Sequence, residues 1–320
     1  MTSTSALTTT NTSALATLTG FDVAILAGSV SESTQRMYSR DFRAYLVFAG
    51  SFDAAMEPAT LAQWRSHLAT ATQDSPNTIN RMVSAVKRLV KEAGIQGYIS
   101  HETAAAFARI QGVKVKAMKE NLKANSRTAI TPAQMRAITS APDTTTLAGK
   151  MHHALLMTLA GSGLRVSEVV TLTSAQIQMG ESEAGLMGWT VSVAGKNKVD
   201  ATPRALSPAA KTAIDAWVSA RSAAGIDSPY IFTGFTGRGS RGLRSTPIAT
   251  VSAWETVQRY AGVAGVENVK PHDFRRFVGT QLAKKDIRLA QKQLGHASIE
   301  TTAKHYVLDG APIGATDNLF

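Results

Sequence analysis

The sequence contains no cysteine among its 320 residues. This absence excludes a disulfide framework, a zinc site with thiolate ligands and a cysteine nucleophile. The first 20 residues carry no charge, so they match neither a secretory signal, which begins with positive charge, nor an arginine-containing transit peptide. Residues 1–25 are therefore predicted to form a disordered tail. The sequence also lacks an apolar run of membrane-spanning length, which predicts a soluble, cytoplasmic protein that does not bind membranes.

Acidic residues are fewer than basic residues in this chain. The chain has 34 Lys and Arg against 23 Asp and Glu, which gives a net charge of +11. Such a surplus favours a polyanionic partner, and nucleic acid is the commonest one. A basic enzyme without a nucleic-acid partner is the alternative interpretation. Apolar residues make up 44% of the chain, which together with its length is enough for two domains with separate cores.

Apolar residues recur at helical spacing between residues 26 and 116, which predicts an all-α domain. Its clearest helix begins at Ser75 and Pro76, a cap followed by a first-turn proline, and is predicted to end at Gly94. The polar face of this helix carries four cations: Arg81, Lys87, Arg88 and Lys91. Such side chains suit phosphates and base edges in a DNA groove, although an ordinary solvated helix face has the same composition.

The helical pattern is interrupted at residues 117–130, a basic segment that predicts an interdomain linker with candidate DNA contacts at Lys123 and Arg127. Helical patterns resume over residues 131–307, and the alternation at residues 188–194 predicts a strand. The prediction is an α-rich catalytic domain with a small antiparallel β-sheet, followed by a C-terminal tail at residues 308–320. A glycine-rich loop adds further candidate DNA-binding residues: Arg238, Arg241 and Arg244.

Five side chains of this second domain offer groups that could activate a phosphodiester. A guanidinium matches two phosphate oxygens, so Arg165 and Arg275 could neutralise the charge that grows on one phosphate. His272 lies three residues before Arg275 and points the same way on a helix. His296 adds an imidazole that can exchange a proton near neutral pH. Tyr306 carries a hydroxyl, which becomes a usable nucleophile when it is packed among cations and a base.

Each of these residues also has a purely structural interpretation. Arg165 could form an ion pair with Glu168, three residues later. His272 could cap a helix, His296 could be a hydrogen-bonded turn residue, and the ring of Tyr306 could simply pack. The chemical interpretation depends on their occurring together and in this order.

Four strings of the second domain are recognisable: GSGLRVSEVVTLT, VSVAGKNK, KPHDFRRFVGTQLA and QLGHASIETTAKHY. On these strings, residues 131–307 resemble the catalytic domain of the tyrosine recombinase, or phage integrase, family. Residues 31–116 resemble the helical core-binding domain that precedes it in that family. The resemblance covers nearly all of the chain beyond residue 30.

The resemblance implies a role for each matching residue. Tyr306 would attack the scissile phosphate and leave a 3′-phosphotyrosine, while Arg165 and Arg275 would clamp that phosphate. His272 would help to take the tyrosine proton, and His296 would support the transition state by hydrogen bonding. Lys196, in the turn after the strand at 188–194, matches the lysine that protonates the leaving 5′-oxygen. Lys198 lies two residues on and remains an alternative, because both would point the same way on a strand.

The resemblance also implies the partners. They are double-stranded DNA with specific recombination sites and three further copies of the chain, since recombination joins two duplexes and cuts four strands. Two domains would close around the DNA as a C-shaped clamp. Neither a metal nor a nucleotide cofactor is implied, because the phosphotyrosine ester retains the bond energy.

One departure from the family concerns spacing. The interval from His296 to Tyr306 is one residue longer than in most members, and an extra helical residue turns a side chain by about 100°. A loop would have to absorb this difference for Tyr306 to reach the phosphate. Two rival functions share the fold: a DNA-binding protein that does not recombine, and a type IB topoisomerase or telomere resolvase with the same chemistry.

Overall fold

The computed structural model describes residues 21–118, 129–182, 185–195, 200–236 and 242–306. The chain divides into two compact units, Met1–Asn125 and Ser126–Phe320, so that the division falls inside the predicted linker at 117–130. Each unit has its own apolar core. In the described part of the chain, no helix combines the length and the hydropathy needed to cross a bilayer.

The described part of the N-terminal unit is helical, as predicted. Its helices are α1 (Glu32–Ala49), α2 (Phe52–Ala55), α3 (Pro58–Ala71), α4 (Pro76–Ile95) and α5 (His101–Arg109), with 3-10 turns at Val23–Leu26 and Val115–Met118. Serine hydroxyls accept backbone N–H groups at four of the helix starts: Ser31, Ser51, Ser75 and Ser100. Such caps satisfy donors that would otherwise lack partners.

Two boundaries of this unit differ from the sequence-based prediction. Residues 21–25 are folded rather than part of a tail, because Phe21 is only 6% exposed and stacks on Phe42 with ring centroids 5.8 Å apart. Helix α4 continues through Gly94 to Ile95. Gly94 is buried against α5, where a Cβ at this position would lie 2.7 Å from the Ala104 Cβ. The glycine therefore allows the two helices to pack closely and does not end α4.

The C-terminal unit contains eight helices among its described residues. They are α6 (Pro132–Ser140), α7 (Leu147–Ser162), α8 (Val166–Val170), α9 (Pro208–Ala223), α10 (Thr250–Val263), α11 (Pro271–Ala283), α12 (Ile287–Leu294) and α13 (Ile299–Tyr306). Helix α7 lies at the centre of the core, where its buried residues pack against α9 and α11.

Two small antiparallel sheets complete this unit and confirm the predicted fold class. Strands β1 (Ile177–Glu181), β2 (Met187–Ala194) and β3 (Ala201–Ala205) form one sheet in sequential order. Strands β4 (Thr233–Thr236) and β5 (Gly242–Pro247) form the other. In the first sheet Arg204 of β3 lies opposite Val191 of β2, which is fully buried.

Candidate active site

The turn at Gly163 places the first predicted site residue. Gly163 ends α7 with a left-handed φ of +66°, and a Cβ there would lie 3.0 Å from Val278 of α11. Glycine meets both demands, since it adopts positive φ without strain and leaves room for the neighbouring helix. The chain then turns to Arg165, which stands at the N-terminus of α8.

Arg165 forms the ion pair with Glu168 that its spacing allows. Its Nη1 lies 2.8 Å from Glu168 Oε1, and its backbone N–H donates to Oε2 over 2.7 Å. The Arg165 side chain is nevertheless 33% exposed, whereas that of Glu168 is 9% exposed. The ion pair does not prevent Arg165 from binding a phosphate, because the buried Glu168 carboxylate orients a guanidinium that still reaches solvent.

Arg275 lies deeper in the same region. It is 1% exposed, and it donates from Nη1 to the Gly163 carbonyl over 2.9 Å and from Nη2 to the Leu294 carbonyl over 2.5 Å. These bonds join α7, α11 and α12 through one guanidinium. Burial, followed by repulsion from the Arg165 cation, lowers the pKa of Arg275 to about 10, so it stays charged at neutral pH.

His272 stands in the first turn of α11, one turn before Arg275. The residue reaches solvent, but its ring is partly desolvated. Desolvation and then the Arg275 cation lower the pKa of His272 below its ordinary value. Both effects favour the neutral imidazole, the form that can accept a proton.

His296 follows Gly295, which ends α12 with a φ of +63°. Its Nε2 lies 3.3 Å from Arg275 Nη2, and its Nδ1 lies 2.9 Å from the Thr302 hydroxyl. A guanidinium can only donate, so a hydrogen bond at Nε2 requires that nitrogen to accept, and Nδ1 then donates its proton to Thr302. Thr302 is fully buried and thus fixes the orientation of the imidazole.

Tyr306 lies in α13 beside His296, although the interval between them is long. The two rings stack with centroids 5.5 Å apart and an interplanar angle of 23°. The tyrosine is 4% exposed, and its ring packs on Gly279 of α11, where a Cβ would come within 2.5 Å of Cδ1. Despite the longer interval, the structure places the Tyr306 ring directly against His296.

Five of the six predicted catalytic residues are therefore brought to one region of the C-terminal unit. The sixth, Lys196, lies outside the described residues, as does its alternative Lys198. The described chain reaches Ala194, the last residue of β2, and then Gly195. The role of a lysine there stays a prediction.

The candidate DNA-binding residues of α4 differ in what their cationic groups contact. Arg81 pairs with the buried carboxylate of Asp41, and Lys87 donates to the Ile110 carbonyl over 2.8 Å. Arg88 lies 3.8 Å from Glu92, and Lys91 is exposed. Intramolecular contacts thus hold the first two, because α4 is the central helix of its unit and the chain covers part of its polar face.

Of the other candidate DNA-binding residues, one lies inside the described part of the chain and the rest lie outside it. Arg244 lies exposed on β5. Four candidates lie outside the described residues: Lys123, Arg127, Arg238 and Arg241. The predicted tail at 308–320 falls outside them as well.

The sequence-based prediction missed Arg204. This arginine is 3% exposed, and its Nη1 lies 3.1 Å from Glu168 Oε2. A signal existed, because Leu206, a buried core residue, lies two positions after Arg204, and in extended chain two such side chains point the same way. The alternation therefore indicated that a charged side chain points inward.

Comparisons with known proteins point to one family. A model described as the phage integrase family matches residues 128–310, more than half of the chain. Tyrosine recombinase XerD of Xanthomonas axonopodis pv. citri (strain 306) is 30% identical over 183 residues, which cover 54% of this chain and 56% of that protein. Tyrosine recombinase XerC of Erythrobacter litoralis (strain HTCC2594) is 28% identical over 291 residues, with 89% and 85% covered. The first match thus spans little more than half of the relative's length, and the second spans most of it.

Solved structures agree on the fold. A lambda integrase tetramer bound to a Holliday junction matches with a TM-score of 0.58 at 15% sequence identity, covering 88% of this chain and 74% of the lambda chain. At this level of identity the likeness establishes the shared fold alone.

Proposed function

This chain belongs to the phage integrase family of tyrosine recombinases, and on that basis we propose that it is a site-specific DNA recombinase. It cleaves and rejoins DNA strands through a 3′-phosphotyrosine at Tyr306. The observation that carries the proposal is the convergence of two arginines, two histidines and a tyrosine from four separate chain segments.

Cleavage is a transesterification. The Tyr306 oxygen bonds to the scissile phosphorus while the bond from phosphorus to the 5′-oxygen breaks, leaving a phosphotyrosine and a free 5′-hydroxyl. The partly exposed Arg165 binds the phosphate oxygens, and the buried Arg275 adds a second positive charge below them. Preorganised cations lower the barrier because negative charge grows on the non-bridging oxygens in the transition state.

Two protons move in this step. The tyrosine proton passes to His272, whose lowered pKa keeps its imidazole neutral. The leaving 5′-oxygen takes a proton from Lys196, with Lys198 as the alternative donor. In the reverse reaction His272 returns its proton to the tyrosine oxygen, and the lysine takes a proton from the attacking 5′-hydroxyl. Both groups thus recover their starting protonation states, as strand exchange requires.

Rejoining is the reverse attack by a 5′-hydroxyl from a partner strand. Exchange between two duplexes needs four cuts and therefore four tyrosines, so we propose a homotetramer on two specific DNA sites. The lambda integrase neighbour, which is a tetramer on a Holliday junction, supports this stoichiometry. Such a protein works where the cell keeps its DNA, in the cytoplasm at the nucleoid.

Covalent capture tests the proposal. The protein is incubated in EDTA with a library of nicked random duplexes, denatured, and digested, and DNA-linked peptides are mapped by mass spectrometry. The expected result is an adduct on Tyr306 that is lost in Tyr306→Phe. Sequencing of the trapped DNA then gives the recombination site.

Other outcomes identify the rival functions. Specific DNA binding without an adduct would contradict the proposal in favour of a DNA-binding protein of the same fold. Relaxation of any supercoiled plasmid without sequence preference would indicate a topoisomerase with the same chemistry. An adduct on another residue would overturn the assignment of the nucleophile.

A further inference from the structure

Arg204 is a charged side chain in the interior of the catalytic unit. It is the buried residue of β3, whose other four residues are exposed, and its side chain is 1% exposed. The removal of a guanidinium from water costs several kcal/mol unless partners compensate for it. Its cross-strand neighbour is the fully buried Val191, so the backbone here faces the core. The presence of arginine therefore requires an explanation other than packing.

One end of Arg204 contacts the carboxylate that holds Arg165. Glu168 Oε1 lies 2.8 Å from Arg165 Nη1, and Glu168 Oε2 lies 3.1 Å from Arg204 Nη1. The Glu168 carboxylate thus contacts the partly exposed Arg165 guanidinium through Oε1 and the buried Arg204 guanidinium through Oε2. Without Arg204, Glu168 Oε2 would keep its hydrogen bond from the Arg165 backbone N–H, but the carboxylate would be freer to turn toward the Arg165 guanidinium, where it competes with a phosphate for the same fork.

The other end of Arg204 contacts the turn that leads to His296. A Cβ at Gly295 would come within 2.7 Å of Arg204 Nη2, so the guanidinium lies directly against this backbone. The side-chain amide of Gln293 joins the same parts, since it accepts from Ala205 N over 3.0 Å and donates to Ala205 O over 2.8 Å. Strand β3 is therefore attached to the turn that presents His296.

We propose that Arg204 is a positioning residue for strand cleavage, which holds Glu168 back from Arg165 and supports the Gly295 turn before His296. Its effect is to leave the Arg165 guanidinium oriented and available to the scissile phosphate. The inference rests on the proposed function, because Arg165 is assigned there to phosphate binding. On this proposal Arg204 acts through Glu168 and the Gly295 turn and not by binding the phosphate.

The test compares two substrates with and without charge at the scissile phosphate. One is a nicked duplex carrying a site recovered by covalent capture. The other is the same duplex with a methylphosphonate, in which methyl replaces one non-bridging oxygen and removes the charge. We expect Arg204→Met to slow single-turnover cleavage of the phosphate on the order of 10- to 100-fold. On the methylphosphonate the loss should be less than about threefold, because Arg165 has less charge to neutralise there.

Arg221→Met is the matched control. Arg221 is also 3% exposed and donates to backbone carbonyls, including those of Ile231 and Ser228 over 3.0 and 3.1 Å, but it lies on α9. Its loss should weaken the fold and reduce cleavage of both substrates equally. In the Glu168→Gln background, Arg204→Met should add little further loss on the phosphate, since its route to Arg165 runs through the carboxylate.

A second measurement does not require activity. In full-length protein with ¹⁵N-arginine, Arg204→Met should broaden or shift the Nε–Hε signal of Arg165, assigned with Arg165→Lys, and Arg221→Met should leave it in place. Equal losses on both substrates, or an unchanged Arg165 signal, would overturn the positioning role. If the wild-type protein gives no adduct, the recombinase proposal fails, and the Arg165 signal still decides whether Arg204 orients that side chain.

Discussion

The imidazole of His296 stacks on the ring of Tyr306 with centroids 5.5 Å apart. The same imidazole faces the Arg275 guanidinium through Nε2 and the Thr302 hydroxyl through Nδ1. The proposed nucleophile, an imidazole and a buried cation are thus held against one another in the protein alone. This preorganisation makes the site sensitive to small changes in the residues that support these rings.

Gly279→Ala should impair cleavage without impairing DNA binding. An alanine Cβ would lie 2.5 Å from the Tyr306 ring, so the ring must move, and we expect at least about a tenfold loss of single-turnover cleavage. The matched control is Gly262→Ala in α10, where a Cβ would meet nothing within 4 Å. That change should stabilise the helix by up to about 1 kcal/mol and leave cleavage intact. Equal activity of the two variants would show that the tyrosine tolerates displacement.

Thr302→Val should slow cleavage by removing the hydroxyl that holds His296 Nδ1 over 2.9 Å. Valine has nearly the same shape, so the fold should remain, whereas the imidazole should lose the hydrogen bond that fixes its orientation. We expect a loss of about tenfold, together with a shifted pH profile for single-turnover cleavage. Thr301→Val, at an exposed neighbouring position, is the control. A wild-type pH profile in Thr302→Val would remove Thr302 from the site.

Arg81→Ala should act mainly on stability, because it leaves the carboxylate of Asp41, which is 2% exposed, without its main partner. We expect the free energy of unfolding in urea to fall by about 2 kcal/mol. Lys91→Ala, at an exposed site on the same helix, should change the free energy of unfolding by less than about 0.5 kcal/mol.

Lys91→Ala also tests whether α4 contacts DNA. If it does, the variant should reduce the slope of log K for DNA binding against log salt by about 1. An unchanged slope would remove Lys91 from the interface.

Mild acid should destabilise the C-terminal unit through His152. Burial, and then the Arg259 cation, lower the pKa of His152 to about 4, whereas an unfolded histidine titrates near 6.5. The unfolded chain binds the proton first, so the stability contributed by the neutral ring is complete above pH 6.5 and is lost as pH falls toward 4. The loss should approach about 3 kcal/mol at most. Urea denaturation of the full chain at several pH values should show a shallower decline in His152→Gln, and parallel curves would contradict the assignment.

Sequence patterns predicted which side chains the fold brings together better than they predicted which residues support them. Arg165, His272, Arg275, His296 and Tyr306 were identified because each stands in a short recognisable string. Arg204 was missed because its burial depends on a contact with Glu168, 36 positions earlier. Local alternation indicated that Arg204 points inward, but only the folded chain shows which carboxylate receives it.

The polar face of α4, a candidate DNA-binding face, shows a second limit of sequence-based prediction. The spacing of polar residues on α4 correctly separated its apolar side, since Ile79, Val83 and Val86 are all buried. It also assigned Arg81 and Lys87 to a free surface, whereas they contact Asp41 and the Ile110 carbonyl. Helical periodicity shows which residues share a face, but it does not show which neighbouring segments cover that face.

The carboxylate of Glu168 has a further consequence. It contacts Arg165 and Arg204 directly, and its charge also reaches Arg275. In the described part of the site, the charge of one acid is thus shared among three guanidinium groups, which leaves a local excess of positive charge. Under the proposed function, the scissile phosphodiester would be the counter-ion of this cluster. Binding of the duplex would then relieve the repulsion among these cations, so that the DNA would contribute to the stability of the folded protein as well as serve as its proposed substrate.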